Sequence, residues 1–247
     1  MRRATSYLVV VAGTLLAWWL LTARQAVAPL ILPPIGEVGS ALSAVDPGTW
    51  AAAMAVTTAR AFAGFALAAL AAVPLGVLLG RRRKLREAYE PLLATTAAVP
   101  LVILYPVLAA TLGLGTSSKV VLGGLYAFFP IAIATIRAVQ QIDPALVAAM
   151  QSMGATGARV IRAVVVPSAL PGILSGLRIG LGLALVTVIA AEFIAGADGV
   201  GYQLAASSQG YRSADLFAWV VLAVALTIVV NTVFTLFATT LERTLRR

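Results

Sequence analysis

Six long apolar runs, separated by short polar segments, dominate the 247-residue sequence. A helix that crosses a membrane needs about 20 mostly apolar residues, and each run approaches or exceeds that length. Hydrophobic residues make up 61% of the chain and charged residues 11%, which is far from the balance of water-soluble proteins. The runs cover residues 7–22, 60–79, 91–112, 120–138, 171–195 and 216–239. We therefore expect an all-α fold, with residues 1–247 forming one polytopic transmembrane bundle of about six spans.

The basic residues are divided unevenly between the two sides of such a bundle. Of the 18 basic residues, 14 fall on one side and four on the other. Cytoplasmic loops carry the excess of Lys and Arg, so the richer side is predicted to be cytoplasmic and to hold both termini. The net charge of +9 then reflects topology and does not favour nucleic acid as a partner. The richer side holds Arg2, Arg3, Arg81, Arg82, Arg83, Lys84, Arg86, Arg137, Arg159, Arg162, Arg178, Arg243, Arg246 and Arg247; the other holds Arg24, Arg60, Lys119 and Arg212.

The start of the chain allows a second interpretation. Two arginines, an apolar run and the small residues Ala26-Val27-Ala28 also resemble a cleavable signal peptide. The run is slightly longer than a typical signal core, and Pro29 follows the site where cleavage would occur. Cleavage would leave five spans in the same orientation. The prediction of six spans takes the first run as uncleaved.

Several kinds of catalytic chemistry are excluded by composition. The chain has no cysteine and no histidine, which removes disulfides, thiolate metal sites and catalysis that depends on an imidazole. It also lacks the G-x-x-x-x-G-K-[ST] sequence of a nucleotide-binding loop. We therefore expect no catalytic site, no metal site and no bound cofactor on this chain.

Prolines interrupt two of the apolar runs. Pro91, Pro100 and Pro106 predict a kinked or broken helix in the third run, and Pro130 predicts an interruption of the fourth. Irregular backbone at membrane depth persists only where it is buried in protein or lines a cavity. We therefore expect the third run to line a solute pathway, with ordinary helix packing as the alternative. The residues predicted along this pathway or its gate are Arg60, Pro100, Tyr105, Pro106, Phe129 and Glu192.

Glu192 is the one acidic residue well inside an apolar run, and ionisable groups in a membrane usually have a function. Arg60 lies 21 residues before Arg81, and Glu192 lies 21 residues after Pro171. At a rise of about 1.5 Å per residue, both lie roughly 31 Å from the cytoplasmic ends of their helices. We therefore predict a Glu192–Arg60 ion pair that closes or braces an outer gate. The alternative is that the two groups are hydrated separately at the membrane interface.

A polar segment at residues 143–172 separates the fourth and fifth runs. Asp143 followed by Pro144 predicts a helix start, and Gly154 predicts its end. Leu146, Ala149, Met150 and Met153 fall at positions i, i+3, i+4 and i+7, which predicts one apolar face. Thr156 is predicted to cap a second helix that Pro167 ends. Two capped helices with small exposed side chains favour a docking surface for a partner, the alternative being a loop that packs on its own bundle.

This segment also resembles a known motif. Ala148-Ala149-Met150, Gly154 and Val164-Val165-Val166-Pro167 are similar to the EAA signature of ABC importer permeases, which reads EAA, three residues, Gly, nine residues and I-x-L-P. The 13-residue interval from Gly154 to Pro167 agrees with that pattern, but Ala148 stands where the motif has Glu. The sequences SALPGILSGLRIGLG and GADGVGY further resemble the permeases of taurine, alkanesulfonate and nitrate importers. The resemblance extends over roughly residues 30–240.

The resemblance implies a function and a set of partners. It implies a permease subunit in the bacterial inner membrane, paired with a second copy as a homodimer and served by an extracytoplasmic binding protein. It further implies that the loop at residues 143–170 docks on ATPase subunits that bind ATP and Mg²⁺, and that the solute is a small anion such as a sulfonate, taurine or nitrate. The alternative, a self-contained carrier or channel, should show mid-span carboxylates or inverted repeats. The residues expected to dock on the ATPase are Ala148, Ala149, Gln151, Ser152, Gly154, Ala155, Thr156 and Arg159.

Overall fold

The computed structural model describes the backbone of residues 2–245 and the side chains of residues 9, 10 and 12–244. Every regular element in that part of the chain is helical, which confirms the predicted all-α class. A 3₁₀ turn at Leu101–Leu104 precedes α5, and a π-helical turn at Ile161–Val165 joins α8 to α9. The helices are α1 (Arg2–Ala23), α2 (Ile35–Ala44), α3 (Pro47–Arg81), α4 (Arg83–Ala97), α5 (Tyr105–Leu112), α6 (Thr116–Gln140), α7 (Pro144–Ser152), α8 (Gly157–Val160), α9 (Val166–Ala195), α10 (Gly199–Gln209) and α11 (Ser213–Leu245).

Four of the described helices are long and apolar enough to cross a membrane. They are Pro47–Arg81, Thr116–Gln140, the continuous helix Gly157–Ala195 and Ser213–Thr244. A fifth span results if α4 and the helical segment Leu101–Leu112 are counted together. The first apolar run lies in α1, of which the segment Ala12–Ala23 is a shorter apolar helix. The sixth span therefore stays a prediction.

The centre of the bundle consists of α3, α6 and α9. Small residues let these helices approach closely, as is common where helices associate in a membrane. A Cβ atom at Gly64 of α3 would lie 2.9 Å from the backbone nitrogen of Gly124 in α6. One at Gly180 of α9 would lie 2.7 Å from the side chain of Ile131 in α6. The glycines thus set the separation of the three central helices.

The prolines of the two interrupted runs have different effects. The predicted break in the third run is confirmed, because α4 ends before Pro100 and the two halves of the pair meet at a bend of 79°. The predicted interruption of the fourth run is wrong, because α6 continues without a break through Pro130. A proline removes only one donor from a helix, and neighbouring helices stabilise such a site in a membrane. Packing of α6 between α3 and α9 provides that support.

The second helix of the polar segment also differs from its prediction. Pro167 does not end it, because Pro167 lies in the first turn of α9 and the chain is helical from Gly157 to Ala195. The π-helical turn at Ile161–Val165 directly precedes Pro167, and the Val166 amide there donates to the Ile161 carbonyl five residues back, so the regular bonding of an α-helix is already interrupted where the proline lacks its N–H. Thr156 does occupy the N-cap position, but its side chain makes no capping hydrogen bond. The segment therefore leads directly into a span.

Two apolar clusters lie near opposite ends of α3. At one end Ala53 packs with Val200 of α10 and Trp219 of α11. At the other end Val77 packs with Val139 of α6 and with the start of the Gly157–Ala195 helix. The 24 positions between Ala53 and Val77 correspond to about 36 Å along the helix. The short helices α7 and α10 therefore lie at opposite ends of the bundle.

Candidate coupling surface and polar network

Helix α7 begins and ends where the sequence predicts. The Asp143 carboxylate accepts a hydrogen bond from the Ala145 amide at 2.9 Å, with Pro144 as the first helical residue. Gly154, just beyond the helix, has φ +80°, a conformation that residues with a side chain rarely adopt. A Cβ atom on Gly154 would meet nothing within 4 Å. The glycine is therefore required by backbone conformation and not by space.

The face of α7 that packs inward is not the predicted one. Val147 and Met150 contact the cluster around Val77, whereas Leu146 is 49% exposed and Met153 is 81% exposed. Ala149 is exposed as well, so the predicted apolar face is wrong at three of its four positions and right only at Met150. Nearly all residues of this nine-residue helix are apolar, so periodicity alone leaves its orientation open. The orientation of α7 is set by the residues before and after it, because Ile142 and Ala155 both pack in the cluster around Val77.

All but one of the predicted docking residues are exposed. Ala155 is the exception, because it is buried in the cluster around Val77. The remaining residues have small or flexible side chains. We name them the α7 surface: Ala148, Ala149, Gln151, Ser152, Gly154, Thr156 and Arg159, all exposed.

At the other end of the bundle the predicted ion pair is present. The Arg60 Nη1 atom lies 2.8 Å from the Glu192 Oε1 atom, which confirms the predicted pairing. Arg60 is 6% exposed and Glu192 is completely buried. The alternative of two separately hydrated groups is therefore wrong. The role of the pair as a gate stays a prediction.

Glu192 also holds the start of α10. Its Oε2 atom accepts hydrogen bonds from the Thr57 hydroxyl at 2.7 Å and from the Gly201 amide at 3.1 Å. The Thr57 hydroxyl in turn accepts a hydrogen bond from the Val200 amide at 2.9 Å. A side chain at Gly199, which has φ +89°, would overlap the Glu192 carboxylate. The first turn of α10 therefore lies directly on a carboxylate supplied by α9.

Two further residues, Asp198 and Thr116, contact Arg60 without having been predicted, and a third, Lys119, lies close enough to interact with the pair electrostatically. Asp198 Oδ1 lies 2.7 Å from Arg60 Nη2, and Arg60 donates from Nε and Nη2 to the Thr116 hydroxyl at 3.3 and 3.2 Å. The buried Lys119 ammonium donates to the Leu114 and Gly115 carbonyl groups. The sequence signal for Asp198 was its place in GADGVGY, between glycines that lie against Glu192. We name the polar network as Thr57, Arg60, Thr116, Lys119, Glu192 and Asp198.

The other predicted pathway residues are only partly brought together. Tyr105 is buried against Ala191 beside the polar network, and its hydroxyl donates to the Ala195 carbonyl at 3.4 Å. Pro100 and Pro106 are exposed near the bend between α4 and α5. Phe129 is half-buried further along α6, where its ring meets that of Phe128 edge-on at 5.4 Å.

Comparison with known proteins decides the family. The model of the binding-protein-dependent transport system inner membrane component family matches residues 72–247. The chain belongs to this family. The taurine transport system permease protein TauC of Escherichia coli (strain K12) is 33% identical to this permease over 215 residues, which are 84% of the permease and 78% of TauC. The putative aliphatic sulfonates transport permease protein SsuC of Bacillus subtilis (strain 168) is 27% identical over 206 residues, 83% of the permease and 75% of SsuC.

A solved structure agrees with this assignment at the level of the fold. The inward-facing MetNI methionine ABC transporter contains a chain that matches the permease with a TM-score of 0.65 at 23% identity. The match covers 78% of the permease and 94% of that chain. The predicted resemblance to ABC importer permeases is confirmed. The permease is a multi-pass inner-membrane component of an importer, and the alternative of a self-contained carrier or channel is set aside.

Proposed function

We propose that this permease imports a small anionic solute, with a sulfonate such as taurine as the leading candidate and nitrate as the second. The similarity to TauC, a taurine permease, and to SsuC, a putative aliphatic sulfonates permease, supports a sulfonate. The polar network holds two buried cationic side chains, Arg60 and Lys119, but Glu192 and Asp198 balance their charge, so the proposal of an anion rests on these relatives. A binding protein outside the membrane delivers the solute to that end.

The observation that carries the coupling part of the proposal is the α7 surface. Its small side chains let another protein approach closely, while Val147 and Met150 hold the opposite side of α7 against the bundle. We assign this surface to contact with an ATPase subunit, which binds ATP and Mg²⁺ and hydrolyses the nucleotide. Ala148 replaces the acidic residue of the EAA motif, so shape and the polar groups of Gln151 and Ser152 make the contact.

The packing of α7 provides a route by which a movement of the ATPase subunits reaches the membrane spans. The cluster that receives Val147 and Met150 contains residues of three spans: Val77 of α3, Val139 of α6 and Val160 at the start of the Gly157–Ala195 helix. A displacement of α7 therefore acts on all three spans together. Closure of the ATPase subunits shifts the bundle between two arrangements, as expected where a packed core has discrete states.

The Gly157–Ala195 helix connects this movement to the far end. It contains 39 residues, or about 58 Å of helix, and it carries Glu192 within its last turn. We propose that the Arg60–Glu192 pair braces the outer gate of the solute pathway.

We further propose that both termini are cytoplasmic, that residues 1–247 form one domain and that two copies of the chain assemble around the pathway.

The docking proposal is tested by co-purification of the permease with its ATPase. Ala149→Trp places a bulky ring on the α7 surface and is expected to abolish co-purification. Ala51→Trp is the matched control, because Ala51 is also exposed but lies near the opposite end of α3. Equal recovery of the ATPase with both variants would refute docking at α7. Uptake of labelled taurine into proteoliposomes, with ATP and the binding protein, tests the solute class separately.

A further inference from the structure

We propose that Asp198 occupies an anion-binding site on Arg60 and Thr116, and that the sulfonate or other oxyanion group of the solute replaces it there. The inference rests on the proposed function, because it identifies the residues that meet the anionic group of the solute. In this inference Arg60 and Glu192 stay paired while Asp198 leaves, whereas a simple gate would open by separating Arg60 from Glu192.

The two carboxylates on Arg60 are held very differently. Glu192 is completely buried, and its oxygens accept hydrogen bonds from Arg60, Thr57 and the Gly201 amide. The Asp198 side chain is 55% exposed, and its contact in the described structure is the one to Arg60 Nη2 at 2.7 Å. Burial and three hydrogen bonds fix Glu192, whereas a rotation into solvent is open to Asp198. Asp198 is therefore the exchangeable partner.

Release of Asp198 does not disturb the start of α10. Asp198 lies at the N-cap position, where an aspartate normally accepts hydrogen bonds from the amides two or three residues later. Its side chain makes no such bond, because the Val200 amide donates to Thr57 and the Gly201 amide donates to Glu192. These amides keep their partners when the Asp198 carboxylate leaves.

The site that remains suits a small oxyanion. Arg60 keeps its position through Nη1 and Glu192, while Nη2 becomes free to donate to a new acceptor. The exposed Thr116 hydroxyl lies 3.2 Å from Nη2 and has its own proton to donate. A planar guanidinium with a neighbouring donor binds oxyanions at defined geometry. Departure of one carboxylate also changes the network of two cations and two anions from neutral to a charge of +1.

Competition with Asp198 keeps the site selective for solute delivered at high local concentration. An internal carboxylate on a short segment acts at an effective concentration in the millimolar range. Free anions at lower concentration therefore leave Asp198 in place. A solute released by a docked binding protein reaches the site at a comparable effective concentration and displaces it.

Binding of ethanesulfonate to the purified complex of full-length permease and ATPase, without binding protein, tests the exchange. Asp198→Asn removes the competing charge, so we expect the Kd to fall by at least about tenfold relative to the wild type. Thr116→Val in the Asp198→Asn background is expected to reverse much of that gain. Asp215→Asn is the matched control, since Asp215 pairs with Arg212 on the surface at 3.2 Å. Ethyl methyl sulfone, an uncharged analogue, is expected to bind none of the variants.

An unchanged or higher Kd in Asp198→Asn would overturn the inference, as would an equal gain for the uncharged sulfone. Thermal melting of the same variant is expected to fall only slightly, because Arg60 keeps Glu192 as its buried partner and the hydrogen bonds of the α10 backbone amides do not involve Asp198. Failure of this inference can be distinguished from failure of the proposed function. Failure of the wild type to import any sulfonate in proteoliposomes refutes the solute class, whereas import with an unchanged Kd in Asp198→Asn refutes the exchange alone.

Discussion

At the scale of single residues, the polar network depends on the neutralisation of buried charges. Removal of one partner from a buried ion pair leaves the other charge uncompensated, which costs several kcal/mol. Arg60 is balanced by two carboxylates, and Glu192 is balanced by a guanidinium and two further donors. Gly199 and Gly201 also help to neutralise Glu192. Because they have no side chain, the backbone can approach the carboxylate and the Gly201 amide can donate to it.

Gly199→Ala is expected to destabilise the permease more than Gly113→Ala. Both glycines have positive φ values, +89° and +84°, so both substitutions carry similar backbone strain of about 1–2 kcal/mol. Only at Gly199 would the new methyl group overlap the Glu192 carboxylate, since Gly113 has open space within 4 Å. Thermal melting of the purified full-length chain measures the difference. Equal melting temperatures would show that the Glu192 contact contributes nothing to stability.

The sequence predicted part of the polar network for a physical reason. Arg60 and Glu192 lie inside helices, where position along the axis follows from counting residues. Asp198 and Thr116 lie beside breaks in helical structure, and no count of residues fixes where such positions point. The boundary between regular and irregular backbone therefore accounts for Asp198 and Thr116, but not for Thr57 and Lys119, which lie inside α3 and α6 and were also missed.

At the scale of elements, capping residues were more informative than prolines or apolar periodicity. Asp143 and Gly154 correctly bounded α7, because capping is a local interaction that the sequence specifies directly. Pro130 and Pro167 did not interrupt their helices, because neighbouring helices pack against α6 and because a π-helical turn directly precedes Pro167. The inward face of α7 was missed because it depends on its neighbours and not on its own sequence.

Gly154→Asn is expected to retain more transport than Gly154→Ala. Gly154 adopts φ +80° in open space, so only conformational strain separates the two variants. Asparagine tolerates the left-handed region better than alanine does, and the alanine strain is about 1 kcal/mol. Solute-stimulated ATP hydrolysis by the reconstituted importer measures the effect. A larger loss with asparagine would show that side-chain size at Gly154, rather than backbone conformation, limits coupling.

At the scale of the whole molecule, the permease places two polar sites at opposite ends of an apolar bundle. The α7 surface lies at one end and the polar network at the other, with α3 and the Gly157–Ala195 helix extending between them. The number of central helices followed from the apolar runs, but their length did not, because α3 begins 13 residues before the run at 60–79 and the Gly157–Ala195 helix begins 14 residues before the run at 171–195. Their close separation did not follow either, because it depends on which glycines meet across the bundle.

The proposed orientation is open to labelling, because the natural chain has no cysteine that would react in the background. Ser152 and Ser208 are both exposed, and the proposed topology places single cysteines at these positions on opposite sides of the membrane. In intact cells, a membrane-impermeant maleimide is expected to label Ser208→Cys at once. It should label Ser152→Cys only after the membrane is permeabilised. Labelling of both positions from the same side would contradict the topology.

The π-helical turn at Ile161–Val165 has a consequence for how this chain tolerates changes in length. Each residue added to or deleted from an α-helix rotates everything beyond it by about 100°. A deletion within α9 would therefore turn Glu192 away from Arg60, even though no residue of the pair had changed. A π turn holds one residue more than an α turn, so a deletion there removes the bulge and preserves the phase of both ends. The tolerance to a one-residue deletion along this span is thus concentrated in five residues, close to the α7 surface and far from the Arg60–Glu192 pair.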